Sequence, residues 1–439
     1  MRIKPIATLL SLLPSLLFSP GTHALSLFDA VTETITTNPD VLIARSQRNA
    51  VEQEMAGARA GFYPQTDITV GYGWETSYNS TTRASGAGSR NLDRSEAEIQ
   101  IRQLLFDGAR TRSEFNRQKS RVNSRAYSTF GKSEVTALRA VEVYLDVLRE
   151  EKLVRLAMEN LDSHQKTYNR IKKRGESGVG RKSDTKQALG RLALAKTNLL
   201  AETNNQADAT AAFENVVGQR PVGLEEPASM AHLLPADLDE VIKQALDNHP
   251  TLKSAETDVE AARYQEKTAK SAFYPRVHLE VSGTENKDID GIPGPNRDGQ
   301  IMVRGRYNLT GGRDMARREE TAHLLNEARE IRNRTHRQVV ESIQLSWNAY
   351  QTAKEQLEYF KAHVDASETA RNAYRKQFNI GQRSLLDVLD SENELFSAQI
   401  DYVNGQNELL FAAYRILAGT GKLLWAMQIP VPEEADVIQ

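Results

Sequence analysis

The chain has no cysteine among its 439 residues. That excludes a disulfide framework, a thiolate nucleophile and a cysteine-ligated metal, and with them a lipidated N-terminal cysteine. Beyond the first two dozen residues no apolar run approaches the ~20 residues of a transmembrane helix, so a helical membrane span is excluded as well. A net charge of -2 carries no bulk positive excess and gives no reason to expect nucleic acid as a partner. The eight histidines show no metal-ligand spacing, and no Gly-x-Ser-x-Gly nucleophile motif occurs. Neither an enzyme nor a cofactor is expected. Proline is scarce in the most instructive way. None lies between Pro64 and Pro221, or between Pro295 and Pro430. Because proline is excluded from helix interiors, each interval leaves room for very long helices.

What the chain does have is a repeat. Phe62-Tyr63-Pro64 returns as Phe273-Tyr274-Pro275 at an offset of about 211, and Gly108 and Arg110 return as Gly311 and Arg313 at about 203. Gly178 and Asp184 return as Gly381 and Asp387, also at about 203. A unit of this length is too long for a solenoid and reads as a duplicated module.

The N-terminus differs from both halves. Arg2 and Lys4 precede a short apolar stretch from Ile6 to Phe18, and Thr22-His23-Ala24 offers small residues for cleavage. This is a secretory signal peptide over 1–24, and a bacterial envelope protein fits it best. The expected division is a first repeat over 25–218 with its hairpin at about 62–106, and a connector over 219–238. A second repeat over 239–421 and a C-terminal segment over 422–439 follow, the connector and that segment forming a belt at mid-height.

Within each repeat the period of the pattern changes. Asn38-Pro39-Asp40 presents an N-cap, an N1 proline and a first-turn acid, starting a helix to about Ala60, and His249-Pro250 repeats the arrangement. After Pro64 the residues alternate: Thr66, Ile68, Val70, Tyr72 and Trp74 fall on one side and polar residues on the other, which is a strand. A loop through about Asn91 leads to a second strand with Ala97, Ile99 and Ile101 on its apolar side. The second half gives Val277, Leu279 and Val281 on one strand, Ile301, Val303 and Tyr307 on the other, and a loop from Glu285 to Asp298. Long helices follow from Arg110 to about Arg174 and from Arg313 to about Gln377. After a Gly-containing turn come shorter ones ending near Val217 and Leu417. Val135, Leu138, Val141, Leu145 and Leu148 recur at coiled-coil spacing.

Strands of this length, apolar on one side and polar on the other, suit a membrane barrel. Four cannot close one, and open edges in lipid are costly, so the chain must oligomerise if these strands lie in a membrane. Strand patterns alone fit a soluble coiled-coil scaffold with two surface hairpins equally well. The leader and the duplicated hairpin favour the membrane.

With these features assembled, the chain resembles the TolC family of outer-membrane export channels over essentially its whole mature length. The resemblance rests on the duplication, the Phe-Tyr-Pro entries, Leu105-Phe106-Asp107-Gly108, and above all the string from Asn379 to Asp390. It implies a mainly α protein with a β-barrel part. Long antiparallel helices form an α-helical barrel, and four strands per chain join a shared trimeric 12-stranded transmembrane barrel. It also implies location in the outer membrane of a Gram-negative bacterium, reaching into the periplasm. The implied partners are two further copies, outer-membrane lipid, a periplasmic adaptor (membrane fusion protein) and an inner-membrane ABC or proton-driven transporter. The cargo expected first is a protein exported by type I secretion, such as a large adhesin; multidrug efflux is the alternative.

The site residues carry two readings each, and for Arg383, Asp184 and the basic first turn the plain one is a solvated charged turn. By spacing, Asp387 and Asp390 share a helix face, with Ser384 and Asp387 placed to cap a helix start. By resemblance, Asp387 and Asp390 form the periplasmic entrance ring, which attracts cations when repeated around an axis. Arg383 matches the family's gating arginine and Asp184 its acidic partner across neighbouring helix pairs. Phe378 stands where the family has a gating tyrosine, removing one hydroxyl. The turns at Gly178 and Gly381 are the implied adaptor-docking points. Gly175 to Ser183 resembles a phosphate-binding loop, but Arg181 breaks the Gly-Lys spacing and a long helix precedes it where a strand is needed. Nucleotide binding is rejected there.

Overall fold

A computed structural model describes residues 24–86, 88–309 and 312–438. All of the expected leader except Ala24 lies outside the described residues, as does Gly311. The chain opens with helices α1 (Leu27–Thr37) and α2 (Pro39–Ala60), followed by strand β1 (Gln65–Ser77), the short helix α3 (Ser80–Ala84) and β2 (Arg90–Phe106). Helices α4 (Arg110–Glu176) and α5 (Lys182–Val217) complete the first half. The second half repeats the order with α6 (Leu238–Asn248), α7 (Pro250–Lys270), β3 (Arg276–Ile289), β4 (Ile292–Arg306), α8 (Gly312–Asn379) and α9 (Leu385–Gly419), and a short α10 (Leu423–Ala426) ends it.

Local chemistry explains the boundaries. The Asn38 side chain accepts from Asp40 N–H at the start of α2, with Pro39 at the first helical position. His249 Nδ1 plays the same part for Thr251 before Pro250. At the head of α4, Asp107 Oδ2 accepts from both the backbone N–H (2.8 Å) and the hydroxyl (2.6 Å) of Thr111. Gly108 has φ +67°, and a Cβ there would stand 2.6 Å from Tyr274 Cβ. The Gly of one repeat thus seats the Phe-Tyr-Pro tyrosine of the other.

The strands form one antiparallel sheet in the order β1-β2-β3-β4, so the two expected hairpins are joined through β2 and β3. The register aligns like with like. Ile68 faces Ile99, Ile101 faces Val281, and Val281 faces Ile301, giving one apolar face. Arg102 faces Glu280 on the other. A bulge at Leu105 interrupts the β2–β3 ladder before its last pair, Phe106 with Val277. Two loop expectations are corrected. The first loop holds α3, whose Asn79 side chain and Thr82 form a capping box, and β2 begins at Arg90. Most of the second loop, Glu285 to Asp298, is strand, turning only at Asp290-Gly291. Pro293 and Pro295 are tolerated because β4 is an edge strand with one side of its backbone unpaired. Tyr307 lies one residue past the end of β4.

The helices form two columns. α4 has 67 residues and α8 has 68, about 100 Å each at 1.5 Å per residue. α2 and α5 lie along α4, α7 lies between α4 and α8 and packs on both, and α9 lies along α8 and also reaches α4. The main core gathers α1, the middle of α4, the ends of α5 and α9, and α10 around Tyr144, Leu145, Phe213 and Tyr414. Its polar bolts hold the irregular segments. Tyr144 Oη accepts from Glu225 N–H (2.9 Å) and lies 2.7 Å from the Leu25 carbonyl, and Tyr414 Oη donates to the Ala228 carbonyl at 3.0 Å. Burial pushes both phenols up to about 12. Among the described residues no helix is long and apolar enough to cross a membrane.

Candidate functional site

The α4–α5 and α8–α9 turns bring the sequence-predicted residues to one end of the helical columns. Each turn closes on a left-handed glycine, Gly178 at φ +76° and Gly381 at φ +80°, a conformation open to glycine at little cost. Gly180 N–H donates to the Arg174 carbonyl, and Gln382 N–H to that of Gln377. Both glycines are exposed.

α9 starts on a complete capping box. Asp387 N–H donates to Ser384 Oγ, and Ser384 N–H donates to Asp387 Oδ2, each at 3.2 Å. Asp387 is therefore a cap as well as a half-exposed carboxylate. α5 has Arg181 at the equivalent position with no side-chain cap, and Asp184 supplies only its first-turn charge. Asp390 is ion-paired: Arg191 of α5 reaches its Oδ1 at 2.6 Å. Arg383 folds back on its own hairpin. Its guanidinium sits 4.3 Å from the Tyr374 ring centroid, Nε donates to Gln377 Oε1 at 3.0 Å, and Nη1 lies 3.8 Å from Asp387 Oδ2. Within the chain no ion pair joins Arg383 to Asp184 among the described residues.

Phe378 packs with Tyr168 against Ile171, Ala188, Leu385 and Leu389, a small core that ties the two helical hairpins together at their tips. The Arg174 guanidinium stands 5.8 Å from its ring centroid. Where the resemblance implies a gating hydroxyl, this chain has a hydrophobic bolt.

Two groups escaped the sequence reading. Glu392 is 5 % exposed and takes the Arg375 Nε at 2.5 Å and the Ser163 hydroxyl at 3.0 Å. Arg375 Nη2 in turn donates to Ser163 Oγ at 2.5 Å, so α4, α8 and α9 meet in one ionic knot. Beside it His164 is buried, and desolvation holds its pKa below the usual value against the opposing pull of Glu392. Glu392 had a readable signal: Leu385, Val388, Leu389 and Leu395 form an apolar stripe, and a carboxylate on it must find a partner. The Arg191–Asp390 pair had none, because its members lie 199 residues apart. No cluster of three or more metal-ligating side chains occurs among the described residues.

The chain matches the family described as outer membrane efflux protein over residues 30–219 and 241–422. It is 26% identical over 387 residues to the outer membrane efflux protein BepC of Brucella suis, covering 87% of this chain and 83% of that protein. It is 24% identical over 400 residues to the alkaline protease secretion protein AprF of Pseudomonas aeruginosa, covering 87% and 82%. Outer membrane protein TolC of Escherichia coli is 20% identical over 403 residues, covering 88% and 80%. Among solved structures, a membrane protein from Pseudomonas aeruginosa superposes with a TM-score of 0.81 at 16% identity over 90% of each chain, a likeness of fold.

Proposed function

The chain belongs to the outer membrane efflux protein family and is an outer-membrane protein of that kind, and from that premise we propose that three copies close into one conduit crossing the outer membrane and reaching into the periplasm. The observation that carries this is the four-stranded sheet with two open edges. One of its faces exposes Ile68, Val70, Tyr72 and Trp74, each at 70 % or more. An apolar face suits lipid, and open edges in lipid must be paired by a neighbour's strands. Long helical columns continuing from the sheet extend the wall.

The turns at Gly178 and Gly381 are the docking points for a periplasmic adaptor and an inner-membrane transporter, which supplies the energy. In the closed trimer Arg383 of one copy faces Asp184 of the next, and Asp387 with Asp390 rings the entrance. Docking breaks these contacts, and the helical hairpins part at the Phe378 bolt. The cargo is a secreted protein in the first reading, supported by the likeness to AprF, a protein named for alkaline protease secretion. The second reading, small-molecule efflux, draws on the likeness to BepC, named as an efflux protein. Deleting the protein and measuring both secreted proteins and drug susceptibility separates the two. Loss of one exported protein with unchanged susceptibility supports secretion, and the reverse supports efflux. No change in either would sink the transport reading.

A further inference from the structure

The foot of the sheet holds an unbalanced cluster of arginines. Arg276, the first residue of β3, stands directly opposite Arg306, the last of β4. Like charges in directly opposed positions destabilise a sheet, so packing does not explain the pair. Alternation places both on the face that carries Arg102, Glu280 and Arg304, the polar side turned away from lipid. Arg276 and Arg110 line a cavity of about 1070 Å³ at the junction with the helices and a smaller one of about 270 Å³ beside it, and Arg313 joins them in the larger.

The nearby acids are mostly spent. Glu280 is taken by Arg102 and by Arg304, at 3.5 and 2.6 Å. Glu114 is paired with Arg117, Glu320 with Arg317, and Asp107 is held by Thr111. Asp314 remains, in the first turn of α8, where the helix dipole favours its charge. Arg110, Arg276, Arg306 and Arg313 make no ion pair among the described residues, and all four are exposed. Higher on the same face the sign reverses, with Asp67, Glu98 and Asp298.

We infer that these four arginines form an anion-binding collar inside the conduit, at the base of the barrel. It would coordinate the phosphate or carboxylate groups of multivalent anionic solutes. Guanidinium forks bind such groups bidentately, and rings of arginine select anions in pores. The inference rests on the conduit reading, since the collar matters only if that face lines a channel. Its charge is opposite to that of the aspartates at the far end of the helices, so the conduit would be cation-attracting at its entrance and anion-attracting at its barrel.

The test uses the purified full-length protein in planar bilayers, with inorganic tripolyphosphate added from the barrel side and a trivalent cation from the helix side. The expected result is block by tripolyphosphate that weakens at least tenfold in R276Q/R306Q, with the reversal potential in a KCl gradient moving toward cations. R276K/R306K should keep the block within a few-fold, and the cation block should be the same in all three. Equal tripolyphosphate block in the conducting glutamine variant and the unmodified protein would overturn the collar. If no version conducts, the conduit reading fails and the collar with it.

Discussion

The two halves of this chain repeat the same elements at nearly the same lengths, yet they are unequally covered. α4 buries 25 of its residues and α8 only eight. α4 is packed along its length by α2, α5, α7 and α9, whereas α8 packs along α7 and α9 and touches α4 only near the tips, through Arg375, Phe378 and Asn379. Duplication thus yields two similar columns, and folding makes one a spine and the other a flank. The uncovered side of α8 exposes Leu345 and Tyr359 at 57 % and 76 %, and on α5 Leu200 is 73 % exposed. In the proposed trimer, covering the first flank with the second from a neighbouring copy would give α8 the environment α4 already has.

The halves differ again at their tips. At the second turn Ser384 and Asp387 cap α9, whereas Arg181 leaves α5 uncapped. The knot of Arg375 and Glu392 is answered in the first half by Lys172 and Leu189, the residues 203 positions earlier. The second tip is therefore the more tightly specified, and the first supplies partners to it through Arg191, Ser163 and the Ile171 core.

The largest expected effect comes from charging the bare flank. Leu345→Asp with Tyr359→Asp should abolish assembly, because burying unpaired carboxylates in an apolar contact costs several kcal/mol or more. Native mass measurement checks this, and an unaltered trimer would show that α8 is not the contact. Next is the knot. Arg375→Ala should cost about 1.5–3 kcal/mol, because Glu392 loses its nearest cation and keeps only Arg371 at 3.8 Å and the Ser163 hydroxyl, against roughly 0.5 kcal/mol or less for Lys172→Ala on the exposed first tip. Equal shifts in thermal denaturation would remove the asymmetry.

A third test concerns Glu134, whose counterpart Arg337 is exposed. Glu134 accepts the backbone N–H groups of Leu423 and Leu424, at 3.0 and 3.2 Å, and clasps the C-terminal segment onto α4. Burial raises its pKa to about 7, against the lowering effect of those two hydrogen bonds. The fold then holds a proton that the unfolded chain has lost between pH 4.5 and about 7. Stability from this group falls as pH rises through that window, by about 1.4 kcal/mol per unit at most, and levels off above it. Glu134→Gln should flatten the slope and Arg337→Gln should leave it; denaturation midpoints across pH 4–8 check both.

The smallest effects on stability are at the proposed gate. The Arg191–Asp390 pair is partly exposed, so its loss should cost under about 1 kcal/mol. The readout there is conductance: Arg383→Ser should raise it, and Asp387→Asn with Asp390→Asn should weaken block by multivalent cations. An unchanged single-channel step in the first variant would leave the gate without its arginine.

Much of the fold was legible because its signals are local. Proline exclusion, the Asn38-Pro39 start, the strand alternation and the Ser384 box act over a few residues. The loop between β3 and β4 was misread because Pro and Gly mark turns locally, while an edge strand tolerates them. At the site, Asp387 could be read as a cap or as a ring member, and the structure shows the cap in place. The ion pair of Asp390 and the knot of Glu392 could not be located, since their partners lie in other helices and leave no pattern of spacing.

By itself, then, the sequence determined the elements, their lengths and their duplication, because each depends on neighbours within a turn of helix or a pair of strand residues. Only the tertiary structure decided that β2 and β3 join the hairpins into one sheet, that α4 and not α8 is the spine, and that Phe378 bolts the tips. Those outcomes depend on which surfaces meet across some two hundred residues of chain, where packing and charge pairing act and periodicity is silent.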